Sequence, residues 1–241
     1  MILDECEDNP YEAPQAGDLP AVLAIQLKPT GLATFLLAGL YAALLMAPVI
    51  AVYWWNGHHI VGLKIIASKW NVFIFSWGRI GIAALGDGLT AMMCWKTVVN
   101  RPRFVPLIAA SVGGRILASL LQSAVHFNLQ KNLSNVESIA VVSLYYGVPP
   151  VVLTAVFLRL SNHRVSFWVY PTIYIAASVA GPMLRRSVQM FVMFMFGRVG
   201  SAEFIFILTV SESLFLCFLA AVLWFGVRVS QPTLTPSSTP L

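Results

Sequence analysis

The sequence predicts an all-α membrane protein, a polytopic bundle of about six transmembrane helices with a disordered tail at each end. Of its 241 residues, 58% are hydrophobic and only 10% are charged, with a mean hydropathy of +0.78. A soluble domain carries about 25% charged residues. Long apolar runs recur along the whole chain, which leaves no stretch for a separate soluble domain.

Each predicted helix is a continuous apolar run. A transmembrane helix needs about 20 apolar residues to cross about 30 Å of hydrocarbon. Strands of a membrane barrel would instead alternate apolar and polar residues, so helices are predicted here. The six segments of sufficient length are 31–55, 72–95, 104–127, 138–160, 167 or 171 to about 196, and 204–225.

The two ends of the chain have the composition of disordered tails. Residues 1–30 are acidic and contain proline, and residues 229–241 are rich in Ser, Thr and Pro. Neither stretch carries enough apolar residues to bury a core. The predicted transmembrane domain is therefore 31–228. The first apolar run begins only near Gly31, which argues against a secretory signal peptide.

The distribution of basic residues predicts the orientation. Loops on the predicted cytoplasmic side collect seven basic residues: Lys28, Lys96, Arg101, Arg103, Arg159, Arg164 and Arg228. The opposite side collects four: Lys64, Lys69, Lys131 and Arg198. By the positive-inside rule, both termini lie in the cytoplasm. The excess of basic residues on the cytoplasmic side depends on the fifth segment. If Arg185 and Arg186 were in a loop, the count on the opposite side would rise from four to six.

The fifth segment has two possible courses. Pro182 removes a helical hydrogen bond near its middle, just ahead of Arg185 and Arg186. One course is a span that ends near Leu184, followed by a re-entrant or interfacial stretch. The other, which we favour, is one long kinked helix whose two arginines face a wet or protein-lined interior.

Four charged residues fall inside predicted spans: Arg79, Asp87, Arg115 and Glu212. At the centre of a membrane helix, Arg or Asp costs about 2.5–3.5 kcal/mol, so such groups are expected to be paired or to face water. From the helical rise, Asp87 lies about 5 Å to the cytoplasmic side of Arg115, a gap that a long arginine side chain can close, and Arg79 and Glu212 lie about 6 Å and about 3 Å to the opposite side of the midplane. We therefore expect two ion pairs. These four residues, with Arg185 and Arg186, are the candidate site residues.

Motifs for known chemistry are missing from the sequence. Asp87 is the single aspartate in the predicted spans, whereas an intramembrane aspartyl protease needs two. His58, His59, His126 and His163 do not have zinc-ligand spacing. The sequence has no nucleotide-binding loop or nucleophile elbow. We predict no metal, no cofactor and no enzymatic activity. Because the basic residues are scattered, we also predict no nucleic-acid partner, despite a net charge of +5.

A short stretch near the N-terminus, Asn9-Pro10-Tyr11-Glu12-Ala13-Pro14, follows several acidic residues. It resembles the Asn-Pro-Tyr-x-x-Pro tag of uncharacterised bacterial multi-span membrane proteins. The resemblance implies a bacterial inner-membrane protein with a cytoplasmic N-terminus, and it implies no activity.

The functional prediction is a non-enzymatic small transport or membrane-assembly component. Its expected surroundings are the lipid bilayer and either other membrane proteins or further copies of the chain. The alternative is a membrane enzyme or channel that uses the intramembrane charges. Convergence of the candidate residues on one cavity would favour transport or catalysis, whereas isolated pairs would favour a structural role.

Overall fold

A computed structural model describes residues 31–62, 69–98, 104–129, 134–161, 166–197 and 200–230. They form six α-helices: α1 (Leu32–Gly62), α2 (Lys69–Val98), α3 (Phe104–Leu129), α4 (Ser134–Leu160), α5 (Val169–Phe196) and α6 (Ser201–Val229). The predicted all-α class is confirmed. The predicted disordered tails lie outside the described residues, apart from the end of α6 and Ser230.

The six helices form an inner and an outer set. The even-numbered helices α2, α4 and α6 contact one another at the centre of the bundle. Each odd-numbered helix lies against two of them: α1 against α2 and α6, α3 against α2 and α4, and α5 against α4 and α6. Side chains on the inner faces of α2, α4 and α6 are therefore the ones that meet at the bundle centre.

The bundle is that of a membrane protein. In the described part of the chain, four helices are long and apolar enough to cross a bilayer: Leu32–Gly57, Phe104–Val125, Ile139–Leu160 and Ser201–Val229. Large apolar side chains such as Leu37, Val105 and Phe194 are 65–86% exposed, as expected of surfaces that face lipid. The remaining helices, α2 and α5, have 30 and 28 residues and carry most of the candidate charges. That both of them span the membrane stays a prediction.

One end of the bundle is closed by a large apolar core. It joins the start of α1 and α3 to the last turns of α2, α4 and α6. Trp95 and Phe157 pack edge to face there, with ring centroids 5.1 Å apart, and both are fully buried. Arg79, Asp87, Arg115 and Glu212 lie outside this core.

The fifth segment is one continuous helix. α5 runs through Pro182 and ends at Phe196. The next residue, Gly197, has a φ of +68°, which favours glycine, and its amide donates to the carbonyl of Met193. The segment is one continuous helix, as in the course we favoured. The kink at Pro182, and whether a membrane span ends near Leu184 or continues toward Phe196, stay predictions. The hydroxyl of Ser178 donates to the carbonyl of Ser143 at 3.0 Å, which ties α5 to α4 just before the proline.

Close helix approach depends on a few glycines. A Cβ atom added to Gly39 would lie 2.7 Å from the Cβ of Ala220, so α1 and α6 pack at the position of that glycine. The adjacent glycines of α3 differ in this respect. At Gly114 an added Cβ would lie 3.2 Å from the Cα of Pro149 on α4, whereas Gly113 faces open space.

Candidate functional site

Asp87 and Arg115 form the centre of the site. Nε of Arg115 on α3 donates to Oδ2 of Asp87 on α2 at 2.6 Å, and each side chain is only 2% exposed. The predicted ion pair is confirmed. Breaking a buried pair by removing one partner leaves an uncompensated charge, which typically costs about 3–5 kcal/mol.

Local packing brings these two helices together. One turn before Arg115, the hydroxyl of Ser111 donates to the carbonyl of Ala84 on α2. Gly88 lies opposite Ser111, where an added Cβ would already be in van der Waals contact at 3.6 Å. Small residues on both helices therefore allow the short separation that the Asp87–Arg115 pair requires.

Tyr145 on α4 contacts both arginines of the site. The guanidinium carbon of Arg79 lies 4.5 Å from the centroid of its ring, and that of Arg115 lies 4.9 Å away. Nη1 of Arg115 also donates to the backbone carbonyl of Tyr145 at 3.4 Å. That carbonyl has no helical partner, because Pro149, four residues later, has no N–H.

Arg79 and Glu212 do not form the second predicted ion pair. Among the described residues, Glu212 has no basic nitrogen within 4.0 Å. Arg79 lies instead between aromatic rings, 4.5 Å from Tyr145 and 5.6 Å from Trp54. A similar depth in the membrane was not sufficient for an ion pair between Arg79 and Glu212. The aromatic rings hold the Arg79 guanidinium by cation–π contacts, away from the Glu212 carboxylate.

A small cavity collects all four charged residues of the predicted spans. Arg79, Asp87, Arg115 and Glu212 line it, together with Tyr53 and Trp54 of α1. Its volume of about 20 Å³ has room for about one water molecule. Three buried polar atoms near it have no hydrogen-bond partner among the described residues: Nε of Arg79, Oδ1 of Asp87 and the hydroxyl of Tyr145.

Glu212 is the fourth charged residue that lines the cavity. It has no hydrogen bond or ion pair to any described residue, yet Arg115, Arg79 and Arg185 all lie within electrostatic range of it. Tyr145 also lies within that range. The carboxylate of Glu212 therefore lies near three cations and the carboxylate of Asp87, and within the described residues it makes no direct contact with any of them.

Arg185 and Arg186 line a different opening. They border a groove of about 400 Å³ between α4 and α5, with Tyr146, Gln189 and Met190. Tyr146 is edge to face at 5.0 Å with Tyr145, the ring that contacts Arg79 and Arg115. Four of the six candidate residues thus converge on the cavity, and the other two line the groove.

Metal chemistry has no support in the described part of the chain. It contains no group of three or more His, Cys, Asp or Glu side chains placed to hold a metal ion. Cys94 is buried in the apolar core and Cys217 is half-buried, and neither forms a disulfide.

Comparisons with protein family models, curated proteins and solved structures find no match to this chain. Residues 9–14, which resemble the Asn-Pro-Tyr-x-x-Pro tag, lie outside the described residues. What that resemblance implies stays a prediction.

Proposed function

We propose that the chain is a small transport component of a bacterial inner membrane that moves protons through its central charged cavity. In this proposal all six helices span the membrane, and both termini are cytoplasmic. The observation that carries it is the convergence of Arg79, Asp87, Arg115 and Glu212 on one water-sized cavity at the bundle centre.

The incomplete pairing favours a functional role over a purely structural one. A charge that served only to hold two helices together would be expected to make a direct ion pair, as Asp87 and Arg115 do. Glu212 makes no such contact within the described residues. Carboxylates retained inside membrane helices without a fixed partner are typical of proton pathways.

The size and mixed charge of the cavity favour a proton over a larger solute. About 20 Å³ accommodates a single water molecule and no organic substrate. Two arginines disfavour a bound metal cation, and two carboxylates disfavour an anion. In this proposal Glu212 takes up and releases the proton. Water and the Tyr145 hydroxyl carry it, and the Asp87–Arg115 pair keeps the surrounding helices in place.

A membrane enzyme or a channel is the alternative function. An enzyme would need space for a substrate beside the charges, and a channel would need a continuous wet path. The apolar core that includes Trp95 and Phe157 closes one end of the bundle in this conformation, which favours a transporter that exposes its site to one side at a time.

Proton flux into vesicles tests this function. The purified full chain is reconstituted into liposomes that contain a pH-sensitive dye, and an inward proton gradient is imposed with the membrane potential clamped. We expect flux above that of protein-free vesicles, and we expect Glu212→Gln to abolish it. Glu203→Gln is the matched control, because Glu203 lies in the first turn of the same helix and does not line the cavity.

Thermal unfolding of the same preparations shows whether each variant is folded. Wild-type flux no greater than that of empty vesicles would contradict the proposal. So would full flux in a folded Glu212→Gln protein. If Glu203→Gln lost proton flux to the same extent as Glu212→Gln, the loss of flux would not be specific to the cavity.

A further inference from the structure

The groove between α4 and α5 has the features of an anion-binding site. It encloses about 400 Å³, roughly twenty times the volume of the central cavity. Arg185 is half-buried at its wall and Arg186 is exposed. Gln189, one turn further along α5, adds an amide that can donate hydrogen bonds.

Neither guanidinium has a partner within the protein as described. Arg185 and Arg186 make no hydrogen bond or ion pair to any described residue. Glu212, a carboxylate within electrostatic range of Arg185, lines the central cavity and does not line the groove. Two adjacent arginines with free donors in an apolar helix need an anion or water to compensate them.

The charge of the groove selects the class of ligand. Among the described residues, its lining includes two arginines and no acidic side chain. Planar guanidinium groups bind phosphate oxygens through paired hydrogen bonds, and basic pockets between membrane helices bind anionic lipid headgroups. A phosphate group is therefore the chemistry that this lining fits best.

The surface around the groove adds an apolar component. Met183, Met190 and Phe194 lie on the same face of α5 as Arg186 and are 61–86% exposed. Phe191 and Phe196 are also about 60% exposed. A ligand whose phosphate contacts the arginines would place any attached hydrocarbon chains along this face.

We infer that the groove between α4 and α5 binds the phosphate of an anionic lipid, with Arg185, Arg186 and Gln189 contacting the headgroup and the apolar face of α5 contacting the chains. This inference does not depend on proton transport by the central cavity. The two sites share no lining residue within the described part of the chain.

Binding of short-chain lipids to the purified full chain tests the inference. Native mass spectrometry in a non-ionic detergent would count adducts of dioctanoyl phosphatidylglycerol and of dioctanoyl phosphatidylcholine. We expect the anionic lipid to bind more tightly, and we expect the Arg185→Gln/Arg186→Gln double variant to lose on the order of tenfold in affinity for it. Inorganic phosphate serves as a competitor.

The matched control is the Arg159→Gln/Arg228→Gln double variant. It removes the same charge from two exposed arginines in the last turns of α4 and α6. The inference predicts unchanged lipid binding for this control. Should the first double variant fail to fold, Arg186→Gln alone removes an exposed charge, and a partial loss of binding is expected.

Five results decide the matter. Preference for the anionic lipid that disappears with Arg185 and Arg186 supports the inference. Efficient competition by inorganic phosphate would assign the site to free phosphate and overturn the lipid as its ligand. Equal binding of the two lipids to wild type, or equal losses in both double variants, would also overturn it. So would a change of oligomeric state with no selective binding, since the groove would then be a protein interface.

Discussion

Arg115 on α3 donates to the backbone carbonyl of Tyr145 on α4, an acceptor that is free because Pro149 has no N–H to offer it. The same guanidinium is bonded to Asp87 on α2. One buried arginine therefore connects three helices, and a proline in the third helix provides one of its acceptors. This arrangement places the cation in the middle of the bundle without leaving it unpaired.

Replacing Pro149 tests the role of the free carbonyl. Pro149→Ala restores a backbone N–H, which competes with Arg115 for the carbonyl of Tyr145. Pro150→Ala is the matched control, because the carbonyl it would bond, that of Tyr146, accepts no hydrogen bond from a described side chain. We expect Pro149→Ala to be less stable than Pro150→Ala by about 1 kcal/mol, the scale of a hydrogen bond between membrane helices. Thermal unfolding in detergent measures the difference, and equal stabilities would argue against the role.

A pair of glycine substitutions tests the contact between α1 and α6. In Gly39→Ala the new methyl group would lie 2.7 Å from the Cβ of Ala220 and 3.1 Å from the backbone of Cys217, so the helices must move apart. We expect a loss of about 1–3 kcal/mol, as for other overpacked cores. Gly113→Ala adds its methyl group to open space and should be neutral or stabilising by up to about 1 kcal/mol. Folded yield after gel filtration compares the two, and the reverse order would refute this packing.

Thiol labelling of intact cells tests the predicted orientation. A membrane-impermeant maleimide should not reach Cys6 in a cytoplasmic N-terminal tail, and it should label a cysteine introduced by Asn132→Cys on the opposite side. Background is expected to be low, because Cys94 is buried and Cys217 is half-buried. Permeabilised cells provide the control, in which Cys6 becomes labelled. Labelling of Cys6 in intact cells, without labelling at position 132, would invert the topology.

Hydropathy predicted the number of helices and several of their boundaries. The third predicted span, 104–127, nearly coincides with α3. The first, 31–55, ends seven residues before α1 does at Gly62. An apolar run reports only the part of a helix that can lie in hydrocarbon, whereas α1 continues beyond its aromatic residues into a more polar sequence.

Comparing the depths of charged residues along their helices predicted one ion pair correctly and the other wrongly. The rise of a helix determines how deep a residue lies, but the direction of its side chain depends on helix rotation and packing, which one sequence does not reveal. Asp87 and Arg115 face each other at 2.6 Å, whereas Arg79 lies against Tyr145 and Trp54 and has no direct contact with Glu212.

Tyr145 was not among the predicted site residues, because the sequence was searched for formal charges and tyrosine is neutral. A signal was present in Pro149 and Pro150, which together leave two consecutive carbonyls of α4 without helical partners. Free carbonyls near buried cations are a reasonable search criterion for other membrane sequences.

The central claim is that Asp87 and Arg115 form a coupled pair inside the bundle, and a double-mutant cycle tests it most directly. The measurement is the stability of the folded protein in mild detergent for Asp87→Asn, Arg115→Gln, the double variant and the charge swap. Each single variant leaves a polar or charged group buried without its partner, so each should lose up to about 3–5 kcal/mol. The double variant should lose less than the sum of the two. Strictly additive losses would mean that the two side chains do not meet, and would contradict the account of the site given above.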